Sequence, residues 1–291
     1  MAEGRRSSAA SIRQRLLDIA RAKGRVHEVV LVRYALERLL YRLSRSPHRD
    51  RFALKGGMLV TRWIDGGNRE TRDADFLGFG ESAIDELRAT FAEIMAKPAD
   101  DAIEFDVVAL RADQIREGMD YEGVRLRTTA YLERTRIPVT VDIGFGDAVA
   151  PKLEPMNYPS LLGMEEPSIQ AYPPAAVIAE KLQAMVALGM INGRMKDYHD
   201  LWAIPRALHI RPADLDAAIA ATFERRRTAI PTERPEGLSR AFVDDAAKQR
   251  QWRNYADSLG LQVVTLAEVV EAVWELVGPS CVRLTSTSTE G

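Results

Sequence analysis

The chain has 291 residues, 46% of them apolar and 28% charged, with a formal net charge of −2. It is longer than one ordinary compact domain, so two domains with separate cores are expected, and the near-neutral charge argues against a uniformly basic nucleic-acid binder. No stretch approaches eighteen uninterrupted apolar residues, the N-terminus is polar, and the single Cys281 allows no internal disulfide. These features give no membrane span and a cytoplasmic location as the expectation.

From the N-terminus, two helical runs come first: Ser11 to about Ala20, closed by Gly24, and Val26 to Leu43. At Phe52 the pattern changes to a short strand (FAL), the turn Lys55-Gly56-Gly57, a helix-like MLVTRWI and a strand from Asp73 to Phe79. Ser82 is placed to cap a helix reaching Met95. Three β-branched runs follow, at 103–110, 124–132 and 137–145. Helices followed by a run of strands predict an α+β domain with a mixed sheet. Residues 150–174 hold six prolines and read as a long connection, and everything beyond reads as helix: 174–188, 196–208, 212–226, 239–259 and 266–277. The expected domains are therefore residues 1–150, and a helical domain over 151–291.

Asp73 and Asp75 lie two apart on a strand, so both carboxylates share a face and repel unless a cation separates them. Mg²⁺ suits that pair, because it takes a few carboxylates together with substrate phosphate oxygens. An Asp-x-Asp alone also occurs in turns and on solvated strands. Asp142 stands in VTVDIGF, a strand apolar enough to make an unpartnered carboxylate costly; it is either a third metal ligand or a residue on the strand's solvent face. Lys55, Gly56 and Gly57 precede a helix, where small residues let amides approach a phosphate, though a plain turn has the same sequence. Lys181 shares a helix face with apolar residues, which calls for a buried anion or for a stem that snorkels. Asp197 and Asp200 are three apart on one helix face, as ligand-orienting groups or as a cap and a surface ion pair. Two basic clusters are candidate polyanion contacts: Arg5, Arg6, Arg13, Arg15, Arg21, Lys23 and Arg25, and Arg225, Arg226, Arg227, Arg234, Arg240, Lys248, Arg250 and Arg253.

Taken in order, LKGGMLV, RETRDADF, VTVDIGFGD, AEKLQAMV and RMKDYHDLW resemble the AbiEii/AbiGii family of nucleotidyltransferase toxins, which includes the mycobacterial MenT toxins. The resemblance runs from about Phe52 to Trp202. It implies a polymerase-beta-like domain joined to a C-terminal helical domain, with the active site in the cleft between them. It also implies that Asp73, Asp75 and Asp142 hold Mg²⁺ and act in catalysis with Lys181 and Asp200. Lys55, Gly56, Gly57 and Asp197 would then contact the NTP substrate. Family members modify RNA, in some cases a tRNA 3′ end, and are neutralised by a cognate antitoxin, so an RNA acceptor and an antitoxin partner are expected. The chain departs from the pattern at Met58, where a hydroxyl residue is usual, and at Lys196, where Arg is usual. A small-molecule or protein acceptor, or a silent binding module with the same fold, are the competing readings.

Overall fold

The structure, a computed structural model, describes residues 8–64, 69–116, 122–261 and 264–287. The chain divides into two compact units: Met1–Arg62, Glu70–Gly146 and Glu154–Ala171 form the first, and Trp63–Arg69, Asp147–Leu153 and Tyr172–Gly291 the second. Arg5 and Arg6 of the N-terminal basic cluster lie outside the described residues.

The first unit opens with α1 (Ala9–Ala22) and α2 (His27–Ser44). The cap of α1 is Ser8, whose hydroxyl accepts from the Ser11 amide, so the helix starts one turn earlier than Ser11 would have placed it. Then come β1 (Phe52–Lys55), α3 (Gly57–Trp63), β2 (Ala74–Gly78) and α4 (Ile84–Ala96). Ser82 caps nothing: Ala83 occupies the N-cap position and makes no side-chain hydrogen bond. The strands β3 (Ile103–Phe105), β4 (Arg111–Arg116), β5 (Glu122–Leu132), β6 (Thr135–Phe145), β7 (Glu154–Asn157) and β8 (Ser168–Ala171) complete the sheet. Its order is β3-β5-β6-β2-β1-β8-β7, with β4 also paired to β5. β2 with β6 and β1 with β8 are parallel and the remaining pairs antiparallel, so the sheet is mixed, as expected.

Three parts of this sheet differ from the sequence reading. The run expected at 103–110 stops at Phe105, because the Asp106 carboxylate accepts from the Ala109 amide at 2.9 Å and turns the chain. The polar segment RADQIR is a strand, β4, with no apolar alternation to announce it. The proline-rich stretch read as a connection contains β7 and β8; Pro155 is tolerated because β7 is the last strand of the sheet.

One face of the sheet is apolar. Ile137, Val139, Val141 and Ile143 of β6 and Val124, Leu126, Ala130 and Leu132 of β5 are buried, and α2 and α4 pack against the sheet. Phe52 meets Phe76 and Phe91 edge to face and Phe76 meets Phe91 at a tilt, joining β1, β2 and α4 with centroids 5.0 to 6.3 Å apart. α2 also carries a buried ion network: the Arg42 guanidinium forks onto Asp101 at 2.6 and 3.0 Å, and Arg38 donates to the same carboxylate at 3.0 Å.

The second unit is helical: α5 (Pro174–Leu188), α6 (Met195–Ala207), α7 (Pro212–Arg225), α8 (Arg240–Asp244), α9 (Ala246–Leu259) and α10 (Leu266–Thr287). The single helix expected over 239–259 is split at Asp245, which caps α9 by accepting from the Lys248 amide at 2.9 Å. Pro174–Ile191 is long and apolar enough to cross a membrane by composition, but more than half of it is buried against the rest of the protein, which marks α5 as a core helix.

Candidate active site

Strand register builds the acidic site. Lys55 on β1 pairs with Asp75 on β2, Asp75 with Asp142 on β6, and Asp142 with Arg125 on β5. Directly paired residues point to the same side of a sheet, so these four form one row, cation, anion, anion, cation, across four adjacent strands. Asp73, two residues before Asp75, joins the same face. One carboxylate oxygen from each of Asp73, Asp75 and Asp142 lies within 4.8 Å of the other two. Asp142 therefore sits on the face opposite the apolar core, as its solvent-face reading had it, yet it is only 7% exposed because its neighbours cover it.

Each carboxylate is anchored by the chain itself. The Thr71 hydroxyl donates to Asp73 at 2.9 Å, the Gly57 amide donates to Asp75 at 3.4 Å, and Arg125 forks onto Asp142 with Nε to Oδ1 at 2.7 Å and a terminal nitrogen to Oδ2 at 2.6 Å. Gly56 is required by both conformation and space: its φ is +69°, and a Cβ there would collide with the Asp75 carboxylate. The glycine turn thus positions Asp75 closely, with its Gly57 amide already committed to that carboxylate. Burial pushes the Asp75 carboxyl up to about 7, helped by Asp73 and Asp142 and opposed by Lys55 and the Gly57 amide. Three hard oxygen donors that repel one another at this spacing fit a divalent cation.

A second polar cluster lies in the helical unit. Lys181 on α5 donates to Asp197 at 2.5 Å and stands 2.9 Å from Asp200, the two aspartates sharing one face of α6. Arg69 forks onto Asp200 at 2.9 and 3.0 Å, and Arg194 is 2.6 Å from Asp197. Lys181, Asp197, Asp200 and Arg69 are all at most 9% exposed, which excludes a snorkelling lysine, while the ion pair of Asp197 with Arg194 is present and joins a buried carboxylate to a half-exposed guanidinium. Burial would raise the Asp200 carboxyl, but Lys181 and Arg69 hold it well below the ordinary range; burial would lower Lys181, but Asp200 and Asp197 raise it.

A family model described as nucleotidyl transferase AbiEii toxin, Type IV TA system, matches residues 38–276. The chain belongs to the AbiEii family. It is therefore a nucleotidyltransferase from a toxin family whose toxin–antitoxin setting implies a cognate antitoxin, and the residues of both clusters fall inside the matched span. Among solved structures this AbiEii chain is similar to JHP933 from Helicobacter pylori, with 13% identity, 91% of this chain and 97% of that chain covered, and a TM-score of 0.52. It is also similar to a protein described as a candidate nucleotidyltransferase from H. pylori, with 12% identity, 90% and 98% covered and a TM-score of 0.41. At 13% identity the JHP933 likeness speaks to the fold alone. No curated protein matches the sequence.

Arg125, Thr71 and Arg69 did not come out of the sequence reading. Arg69 opens the RETRDADF motif and could have been flagged there; Arg125 and Thr71 become visible only through register and a turn. The C-terminal basic cluster is not one surface. Arg226 pairs with Asp147 and Glu180 and donates to Gln183, and Lys248 is buried with its ammonium on the Asn192 carbonyl. Arg226 is thus a counterion within the helical unit, and Lys248 is a buried hydrogen-bond donor there.

Proposed function

We propose that this AbiEii chain is a Mg²⁺-dependent toxin that transfers a nucleoside monophosphate from an NTP to an RNA hydroxyl, such as a tRNA 3′ end, in the cytoplasm. The observation that carries the reading is the convergence of Asp73, Asp75 and Asp142 on one sheet face, oxygens within 4.8 Å, in a chain of this family. In the reaction the acceptor oxygen bonds to the α-phosphorus, the bond from that phosphorus to the bridging oxygen breaks, pyrophosphate leaves and the hydroxyl proton departs. A Mg²⁺ held by the three aspartates would supply Lewis-acid stabilisation of the charge that develops on the phosphate.

The chain's own groups then have distinct tasks. Thr71, the Gly57 amide and Arg125 fix the rotamers of the three carboxylates, so little reorganisation is left for the chemical step. Lys55, paired in register with Asp75, offsets negative charge in the row and is assigned to the phosphate oxygens. Asp142 is the group assigned to steer or accept the acceptor proton. Lys181, Asp197 and Asp200 are assigned to the nucleotide, Lys181 for charge and the aspartates to orient it.

The test is a labelled-NTP assay with each of the four NTPs against RNA, protein and small-molecule pools, with Mg²⁺ present or chelated. Mg²⁺-dependent label on RNA, lost in Asp73→Ala, supports the reading. Label on protein or a small molecule would replace the acceptor, and label that survives chelation would remove the metal.

A further inference from the structure

We infer that the outward face of β4, β5 and β6, beside the aspartate row, is the platform that holds the single-stranded end of the RNA acceptor. The inference rests on the RNA reading above and names the surface that reading needs. Alternation along the strands settles which side chains share the face. On β5 the buried Val124, Leu126 and Ala130 alternate with Arg125, Arg127, Thr129 and Tyr131, and on β6 the buried Ile137, Val139 and Val141 alternate with Arg136, Pro138, Thr140 and Asp142. Register extends the face onto β4, where Arg111 pairs with Arg127 and Asp113 with Arg125. Arg111, Arg127 and Arg136 are exposed and Thr129, Tyr131 and Thr140 partly so.

Charge and position together select the occupant. Outside the aspartate row the face carries Arg111, Arg127 and Arg136 against two acids: Asp113 on β4, which is 3.0 Å from Arg127, and the exposed Glu104 on β3, which pairs in register with Tyr131. The excess is a single cation, in a chain whose net charge is −2, so the face offers a local attraction for a polyanion that the chain as a whole lacks. Paired strands lie about 4.8 Å apart, and alternate residues about 7 Å apart along a strand, so Arg127 and Thr140, which pair with one another, sit one row from Arg125 and Asp142. A strand of RNA laid on the arginines thus ends at the carboxylates. Tyr131, at the far end of β5 on the same face, offers a ring on which a base can stack, and the threonine hydroxyls offer hydrogen bonds to sugar and phosphate. A sheet face with arginines, hydroxyls and an aromatic ring suits single-stranded RNA better than an apolar protein surface.

The experiment uses the full chain and a short fluorescent single-stranded RNA with a free 3′ hydroxyl, titrated by anisotropy over a series of salt concentrations. The variant Arg111→Gln/Arg127→Gln/Arg136→Gln is compared with wild type and with Arg225→Gln/Arg227→Gln/Arg250→Gln, which carries the same charge loss elsewhere. The platform variant should weaken binding about tenfold at low salt and lower the log–log salt slope by about two, at roughly 0.7 per lost contact. Tyr131→Ala should weaken it about fivefold or more, while binding of Mn²⁺ with NTP is unchanged in both. The helical-unit variant should keep affinity and slope near wild type. If the platform variant melts early, Arg127→Gln and Arg136→Gln are tested singly, each expected to remove about a third of the slope change. Wild-type affinity and slope in folded platform variants, or loss in the helical-unit variant instead, overturns the platform while leaving an RNA acceptor standing. A wild-type protein that holds Mn²⁺ with NTP but binds no RNA overturns both.

Discussion

Arg125 and Asp142 stand opposite one another on β5 and β6, and the guanidinium takes both carboxylate oxygens, at 2.7 and 2.6 Å. Such a fork fixes the plane of the carboxylate and also places a cation against a metal ligand. Arg125→Ala should therefore bind Mn²⁺ severalfold more tightly, because a competing charge is gone, and yet lower kcat by about tenfold because Asp142 is no longer oriented. Arg125→Lys should not restore kcat, since an ammonium cannot reproduce the fork. A Mn²⁺ titration beside steady-state kinetics checks both halves; a drop in metal affinity in the alanine variant would show that Arg125 supports metal binding instead of opposing it.

Asp75 gives a pH prediction. Its carboxyl is raised to about 7 by burial and by Asp73 and Asp142. A carboxyl whose folded pKa exceeds its unfolded value near 3.9 costs nothing below that value, costs more as pH rises, and costs the full amount above about 7. In chelator, Asp75→Asn should be more stable than wild type at about pH 8, on the order of 1–3 kcal/mol, with the gain vanishing near about pH 4. Urea melts at several pH values measure it, and a gain independent of pH would show that the carboxylate repulsion is not its source.

The Lys181–Asp200 pair behaves in the opposite way. Asp200 is depressed, so its stabilisation is full above the unfolded value of about 3.9 and is lost as pH falls below it; Lys181 is raised, so its share is full below about 10.4 and is lost as pH rises through the folded value. Stability should hold between those limits. Lys181→Met should cost about 3–5 kcal/mol, because Asp197 and Asp200 stay buried with less compensation. Its kinetics are informative only after correction for the folded fraction. A stable, inactive Lys181→Met protein would mean that the lysine serves the nucleotide and not the fold.

Gly56→Ala tests the turn. The substitution introduces a Cβ at φ +69° against the Asp75 carboxylate, so Asp75 must move. Stability should fall by about 1–2 kcal/mol and transfer by about a hundredfold. Gly163→Ala is the matched control, with a similar φ of +66° and nothing within 4 Å of the added Cβ, so only the stability loss should appear there. Equal loss of activity in the two would separate Gly56 from the site.

Sequence alone placed Asp75 and Asp142 on their strands because period-two alternation around them survives in short windows, whereas Asp73, read as the first residue of its strand, stands in the bend just before β2. Their anchors were hidden, since Arg125 reaches Asp142 through a hairpin register and register leaves no mark on either strand. β4 was missed because a strand paired through a polar segment has no hydrophobic alternation, and β7 and β8 because four residues each, with a proline inside β7, are too few to show a period. The helical unit was legible as helices, but Arg226 and Lys248 looked like surface charge when the fold uses them inside. Arg69 shows the same limit: it was quoted in a motif for the aspartates that follow it, while its own partner stands on α6.

The parallel pairing of β8 with β1 has a consequence for biosynthesis. The edge of β1 that Ser168–Ala171 covers belongs to residues made about 115 positions earlier, so a nascent chain must wait for them for about ten seconds at ordinary translation rates. In the last part of that interval, once residue 142 has been made, Asp75 and Asp142 can already be paired, with β1 still bare on its other side. A truncated product ending near residue 150 would keep the row of acids and lack the strand that closes β1. Such fragments expose a bare strand edge that invites aggregation or proteolysis, a hazard the complete chain removes when β8 pairs with β1.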